Sequence, residues 1–292
     1  MATLTGSRIT DLLHAWIASR VEPSAMTWLN ERAEAIATGD KKHLFFGFGM
    51  VPRRVGKSET LLTDLEAAEA AAVRPGWNPR TWSLDQLARA FLVLNFPAAD
   101  AAAYVQILDP LFQMGEVGEL VSLYQTLPLL PHPRSHVLRT AEGIRSNIKS
   151  VFCAIAHQNP FPAEQLNDEQ WNQLVLKCLF IDVSLDPVVG IDRRANAALM
   201  TMLVDFAHER RAAHRSVPPE LWRCVGPYAD ERGVNDLRQM LTTGAPAEQQ
   251  AAALALHQCR SPLASTILGQ RPDLARSVTS GELTWKNLIP PS

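Results

Sequence analysis

Long hydrophobic runs are missing from this sequence, although 47% of its 292 residues are hydrophobic. No apolar stretch reaches the roughly 18 uninterrupted residues that a membrane-spanning helix requires. The first apolar segment contains Asp11 and His14, which would interrupt the hydrophobic core of a signal peptide. We therefore expect no membrane span and a location in the cytoplasm.

The sequence also has few cysteines and no excess of basic residues. The four cysteines include no C-x-x-C pair, so the sequence gives no sign of a zinc knuckle or a redox dithiol. The 28 basic residues are balanced by 30 acidic ones, for a net charge of −2. Proteins that bind the phosphate backbone of a nucleic acid do so through clustered positive charge. We therefore expect reduced thiols and no nucleic-acid partner.

Common catalytic motifs are absent as well. The sequence contains no G-x-S-x-G elbow, no H-E-x-x-H pair and no glycine-rich dinucleotide loop. Residues 47–58 end like a phosphate-binding loop, but Val51 stands where that motif needs its first glycine. No strand is predicted before this segment. The favoured interpretation is a loop between two helices, with Ser58 capping the second.

Apolar residues recur at intervals of three and four along nearly the whole chain, which predicts helices and no strands. Caps and first-turn prolines place the helix starts. The predicted starts are Ser7, Pro23, Asp40, Ser58, Ser83, Ala98, Glu116, Ser135, Asn167, Ala195, Pro218, Tyr228, Pro246, Pro262 and Pro272.

The repeat-like pattern is clearest near the C-terminus, where residues 236–241 and 250–256 flank a turn at 244–246. Small alanines allow two helices to approach closely while leucines interlock. We expect an all-α fold, a HEAT-like α-solenoid with degenerate repeats, whose hairpins occupy 229–288. The chain is predicted to form one helical body over 1–292, with a sub-boundary near 73–83 or 128–133 as an alternative.

Polar residues at apolar positions are concentrated in the middle of the chain. Asn172 lies on a helix that is apolar on nearly every side, so its amide needs partners inside the protein. Either a structural hydrogen bond within the protein or a hydrogen bond to a ligand would satisfy this amide. The prolines at 160 and 162 predict an extended turn, in which Asn159 binds the local backbone.

Arg210 continues an apolar helical stripe where a leucine would be expected. A buried charge must be paired, and Asp192 or Asp205 is the expected partner. Asp205 and His208 have the i, i+3 spacing of two metal ligands. No second pair with suitable glutamates accompanies them, so we expect no metal site and favour an ion-pair network.

Six segments of the middle of the chain carry a distinctive combination of residues: GIRSN at 143–147, NPFPAE at 159–164, WNQLVLK at 171–177, GIDRRAN at 190–196, DFAHER at 205–210 and PELWRCVGPY at 219–228. In combination they resemble the EboA family of bacterial proteins, with 143–228 as the signature core.

The resemblance implies a role in ebo gene clusters, which make or export bacterial secondary metabolites. It also implies that the same gene clusters encode prenyltransferase-like, TatD-like hydrolase, dehydroquinate-synthase-like and sugar-isomerase-like proteins. It supplies no catalytic residues and names no cofactor. The candidate site residues therefore come from the physical interpretation of the sequence alone.

We expect a helical-repeat protein that binds a small metabolite, or a partner enzyme of the same cluster, in a polar pocket between helices. The predicted ligand-binding residues are Arg145, Asn147, Asn159, Asn172, Asp192 and Arg210. The alternative is an enzyme that modifies the metabolite by acid/base chemistry, with Asp205, His208 or Glu209 as the acid or base. A scaffold with every polar group paired internally is the third hypothesis.

Overall fold

The computed structural model describes the backbone of residues 2–288 and the side chains of residues 8–288. All regular secondary structure in this range is helical, and an isolated β-bridge joins Glu59 to Ser83. The prediction of an all-α protein is confirmed. Among the described helices, none combines the length and hydrophobicity needed to cross a bilayer.

The chain divides into two compact units, Met1–Leu166 and Asn167–Ser292. The division lies at neither of the loops that the sequence suggested as boundaries. The α-helices of the first unit are α1 (Ala2–Ala18), α2 (Pro23–Ala37), α3 (Lys41–Arg54), α4 (Asp64–Val73), α5 (Leu84–Leu94), α6 (Ala101–Met114), α7 (Val117–Thr126), α8 (Val137–Arg145), α9 (Lys149–Ala156) and α10 (Phe161–Gln165). Those of the second unit are α11 (Asp168–Phe180), α12 (Ala197–Ala212), α13 (Leu221–Val225), α14 (Glu231–Thr243), α15 (Pro246–Gln258), α16 (Pro262–Leu268) and α17 (Pro272–Thr279).

Helix α5 forms the centre of the first unit and packs against α1, α2, α3 and α7. Nearly all its side chains are buried, including the charged pair Asp85 and Arg89, whose oxygen and nitrogen lie 2.8 Å apart. The Arg89 guanidinium also donates to the Phe48 carbonyl oxygen. Burial of the charge lowers the pKa of Arg89, and the neighbouring carboxylates oppose that shift.

The predicted start at Ser58 is wrong, because α4 begins after Thr63. Thr63 and Glu66 form a reciprocal capping box, in which each side chain binds the other residue's backbone N–H group. Ser58 instead lies in an extended stretch, and its carbonyl accepts a hydrogen bond from the Leu84 N–H group.

The extended path predicted at the prolines is also wrong, because α10 begins at Phe161 and includes Pro162. The N–H groups of the first helical turn have no partner within the helix, so proline, which lacks this group, is compatible with this position. Asn159 binds the Phe161 N–H group through its side-chain oxygen and thereby holds the helix start.

Helix α15 is central to the second unit and contacts α13, α14, α16 and α17. Helices α14 and α15 form a hairpin across the Gly244–Ala245 connection, where the sequence placed a turn. The alanines and leucines of residues 251–256 are all buried, so small side chains line the closest helix contacts.

Candidate functional site

A cavity of about 470 Å³ lies in the second unit. It is bounded by the end of α11, by the connection between α12 and α13, and by the segment that follows α17. Its wall consists of Leu179, Asp182, Val183, Ser184, Ser216, Val217, Pro218, Pro219, Glu220, Trp285, Lys286 and Leu288.

The first wall begins where α11 ends in a Schellman motif. Asp182 takes a left-handed conformation with φ of +52°, and the Val183 N–H group donates to the Cys178 carbonyl at 2.8 Å. This reversal turns the chain out of the helix and buries Leu179 and Val183. An apolar surface therefore faces the cavity immediately beside exposed Asp182.

The second wall begins where α12 ends in the same motif. His214 has φ of +55°, and the Arg215 N–H group donates to the Arg210 carbonyl at 2.8 Å. The Arg210 side chain adds a hydrogen bond from Nε to the Ser216 carbonyl oxygen, at 2.5 Å. Arg210 therefore fixes the segment that leads into the two prolines of the cavity wall.

This position of Arg210 corrects the expectation that its charge is buried and paired with Asp192 or Asp205. Its side chain is half-exposed, and its guanidinium lies 5.5 Å from the ring centre of Phe206. Because the chain reverses directly after α12, the Ser216 carbonyl lies beside the Arg210 side chain and accepts its hydrogen bond. Arg210 therefore needs no carboxylate partner.

Glu220 connects two of the walls at the start of α13. Its carboxylate accepts hydrogen bonds from the Ser184 hydroxyl at 2.7 Å and from the Leu185 N–H group at 2.6 Å. Both donors are electrically neutral, and no Lys, Arg or His of residues 8–288 forms an ion pair with it. The cavity wall thus contains a half-buried carboxylate that two neutral donors hold in one orientation.

The third wall is the segment after α17. Asn287 holds this segment in a tight turn, because its side chain accepts from the Thr284 N–H group and donates to the Glu282 carbonyl. Trp285 is 8% exposed and packs into the cavity wall, while Lys286 is exposed. The Trp285 indole N–H group is buried without a hydrogen-bond partner among the described residues.

Three of the predicted binding residues lie in the first unit. Asn159 is 3% exposed, and its amide donates to the carbonyls of Tyr124 and Ala154 at 3.0 and 3.1 Å. Together with the bond to α10, these contacts satisfy the amide inside the protein, as the sequence predicted for the local backbone. Arg145 is the last residue of α8 and Asn147 follows two residues later, and both are exposed.

Two others lie in ordered polar pairs of the second unit. The amide groups of Asn172 and Asn196 exchange two hydrogen bonds, at 2.9 and 3.3 Å, and Asn196 caps α12 through the Leu199 N–H group. Exposed Asp192 binds Arg223 with both oxygens, at 2.7 and 2.8 Å. Neither side chain lines the cavity described above.

Two of the acid/base candidates, Asp205 and His208, belong to a network between α12 and α14. Arg232 donates to Asp205 at 2.7 Å and to His208 Nδ1 at 2.8 Å. The proton of His208 is therefore on Nε2, from which it is donated to Asp236 at 2.8 Å. Glu209 is exposed. Across residues 8–288, no group of three or more His, Cys, Asp or Glu side chains is arranged to hold a metal ion.

A family model described as "Metabolite traffic protein EboA" matches residues 9–226, which is more than half of the chain. The chain belongs to the EboA family. No curated protein and no solved structure matches it.

The EboA match contains two of the three cavity walls, at residues 179–184 and 216–220, but not the third, at 285–288. Sequence reasoning missed these residues because serine, proline and valine in connecting segments carry no chemical signature. The paired prolines at 218 and 219 were one available signal, since they predict a rigid segment, but Pro218 indicated only a helix start and Pro219 only the EboA resemblance.

Proposed function

We propose that this chain binds a small metabolite in the cavity of its second unit, and that this binding is its part in metabolite traffic. The volume supports the proposal, because small-molecule sites in proteins measure roughly 300–1,000 Å³. The wall is largely apolar and has a few oriented polar groups, which is the usual composition of such sites.

The polar residues predicted as ligand contacts stay a separate hypothesis. Arg210 is the member of that set with a direct connection to the cavity, because its side chain binds the carbonyl of Ser216 in the wall. In this proposal Arg210 positions the wall, whereas Asn159 holds the start of α10 and Asn172 pairs with Asn196, which caps α12. A metabolite site involving Arg145, Asn147 or Asp192 would be a second, surface-exposed site.

The finer parts of the assignment also belong to this proposal. A HEAT-like arrangement of the helices is supported by the α14–α15 hairpin and by the alanine-rich face of α15. A role in a secondary-metabolite pathway, a partner enzyme from an ebo cluster and a cytoplasmic location are expectations that follow from the family resemblance and the sequence.

Acid/base catalysis has less support than binding. Both ring nitrogens of His208 are occupied, one by Arg232 and the other by Asp236. A general base needs a free lone pair within hydrogen-bond reach of its substrate. The network therefore accounts for His208 and Asp205 as structural groups, without a substrate.

Native mass spectrometry of the protein purified from its own host tests the proposal, followed by denaturing analysis of the molecule released. We expect a stoichiometric small molecule. Ser216→Trp should expel it, because an indole added at this exposed wall position occupies the cavity, whereas Ser216→Ala should retain it. A clean apo mass with co-purifying enzymes would contradict the proposal and favour a scaffold.

A further inference from the structure

We propose that the molecule bound in this cavity carries a protonated amine on an apolar body, and that the amine binds the carboxylate of Glu220. This inference rests on the proposed function, since it names the class of ligand that the same cavity takes. It concerns the charge of the ligand, which the family description does not address.

The lack of an ion pair at Glu220 among residues 8–288 is the first argument. A carboxylate that loses part of its hydration in a largely apolar wall is stabilised by an opposite charge or by further donors. Glu220 has two neutral donors, Ser184 and Leu185, and no cationic partner among residues 8–288. An ammonium group of a ligand would supply the missing positive charge.

The orientation of Glu220 is the second argument. Each carboxylate oxygen is held by a different hydrogen bond, at 2.7 and 2.6 Å, so the group loses little conformational entropy when a ligand arrives. Each oxygen also keeps acceptor capacity, because a carboxylate oxygen can accept more than one hydrogen bond. The group is therefore prepared to accept an N–H donor without rearrangement.

The rest of the wall is compatible with an amine. Lys286 is the one cation among the described wall residues. Lys286 is exposed at the cavity, so its ammonium is hydrated and would attract an anionic ligand only weakly. Leu179, Val183 and Trp285 provide buried apolar surface for the body of the ligand.

Titration calorimetry with three probes tests the inference: 4-phenylbenzylamine, 4-phenylbenzyl alcohol and 4-phenylbenzoate. The probes share one biphenyl body and differ in charge. We expect the amine to bind at least about tenfold more tightly than the alcohol, as a charge-assisted contact would give, and the benzoate to bind most weakly. Tighter binding of the benzoate, equal binding of all three, or no binding of the amine would overturn the inference.

Three variants distinguish an effect of the Glu220 charge from an effect on the structure of the cavity wall. Glu220→Gln keeps an acceptor for the Leu185 N–H group but removes the charge, so it should erase the preference for the amine over the alcohol. Ser184→Ala removes one of the same hydrogen bonds and keeps the charge, so the preference should persist. Glu169→Gln removes an exposed glutamate of the same unit and should change nothing. A Glu220→Gln protein that still prefers the amine would reject the inference.

The failure of this inference can be told apart from the failure of the proposed function. If a stoichiometric natural molecule is released and Ser216→Trp expels it, but the molecule has no basic nitrogen, the cavity binds metabolites and the amine assignment is wrong. If no molecule is released and Ser216→Trp has no effect, the proposed function itself fails.

Discussion

Buried asparagine side chains find their hydrogen-bond partners inside this protein. Asn159 binds three backbone groups, and Asn196 caps α12 while it pairs with Asn172. The sequence predicts that such amides need partners, because burying an unpaired amide is unfavourable. For Asn172 it does not predict whether the partner is another protein group or a ligand, since an amide presents the same donors and acceptors to both.

Asn159→Ala should reduce stability strongly. The change leaves the carbonyls of Tyr124 and Ala154 and the Phe161 N–H group without their partner in a buried place, at a cost of about 2–4 kcal/mol. Urea unfolding followed by circular dichroism measures the effect. Asn147→Ala removes an exposed asparagine as the matched control and should shift the midpoint little. Equal midpoints for the two variants would contradict this account.

Glu66 makes stability depend on pH. Its two carboxylate oxygens bind the Arg20 guanidinium at 2.8 and 2.7 Å, and these hydrogen bonds lower the pKa of Glu66 from its usual value of 4.5 to about 2. Because the folded state holds the proton less tightly than the unfolded state, this contribution is complete above pH 4.5. It is lost as the pH falls from 4.5 towards 2.

Glu66→Gln should therefore be less stable than the parent protein at pH 7, by about 1–2 kcal/mol for a half-buried ion pair that also caps a helix. The difference should shrink steadily between pH 4.5 and 2. Urea midpoints at several pH values give the measurement, with exposed Glu69→Gln as the control. A difference that stays constant with pH would refute the assignment.

At the scale of elements, side-chain caps made some helix starts predictable from the sequence. Asp40 and Asn167 were placed correctly because each side chain accepts a hydrogen bond from a free N–H group of the first turn. The ends of α11 and α12 use Asp182 and His214 in the left-handed conformation, where a sequence pattern expects glycine. Two walls of the candidate site begin at these ends, so the sequence did not indicate the cavity.

Gly226 sets the distance between the end of α13 and α15. A Cβ atom at this position would lie 2.6 Å from the Ala255 carbonyl oxygen and 2.8 Å from its Cα atom, both of which are backbone atoms that cannot rotate away. Gly226→Ala should therefore destabilise the protein by about 1–3 kcal/mol. Gly118→Ala is the control, because a Cβ atom there has nothing within 4 Å and alanine favours the helix. Urea midpoints that move in the same direction for both variants would be evidence against the close contact.

At the scale of the whole chain, the family resemblance and the cavity cover different residues. The six segments that indicate the EboA family end at residue 228, and the family match ends at 226. One cavity wall lies beyond both, at 285–288. Its residues are an aromatic, a lysine and a leucine near the end of the chain, and such residues have no distinctive spacing. Only the fold brings them to the same cavity as Glu220.

Trp285 should decide whether the cavity holds its ligand, because it is the largest apolar side chain in the wall. Trp285→Ala should reduce the retained small molecule at least about tenfold, and it should lower the melting temperature because it leaves a void. Trp285→Phe should retain the molecule, since it keeps an aromatic ring and loses an indole N–H group that has no partner among the described residues. Leu263→Ala, at an exposed leucine of the same unit, should change neither property.

Native mass spectrometry and thermal unfolding of the three variants provide the readouts. Full ligand stoichiometry in Trp285→Ala would show that the segment after α17 is not part of the binding site.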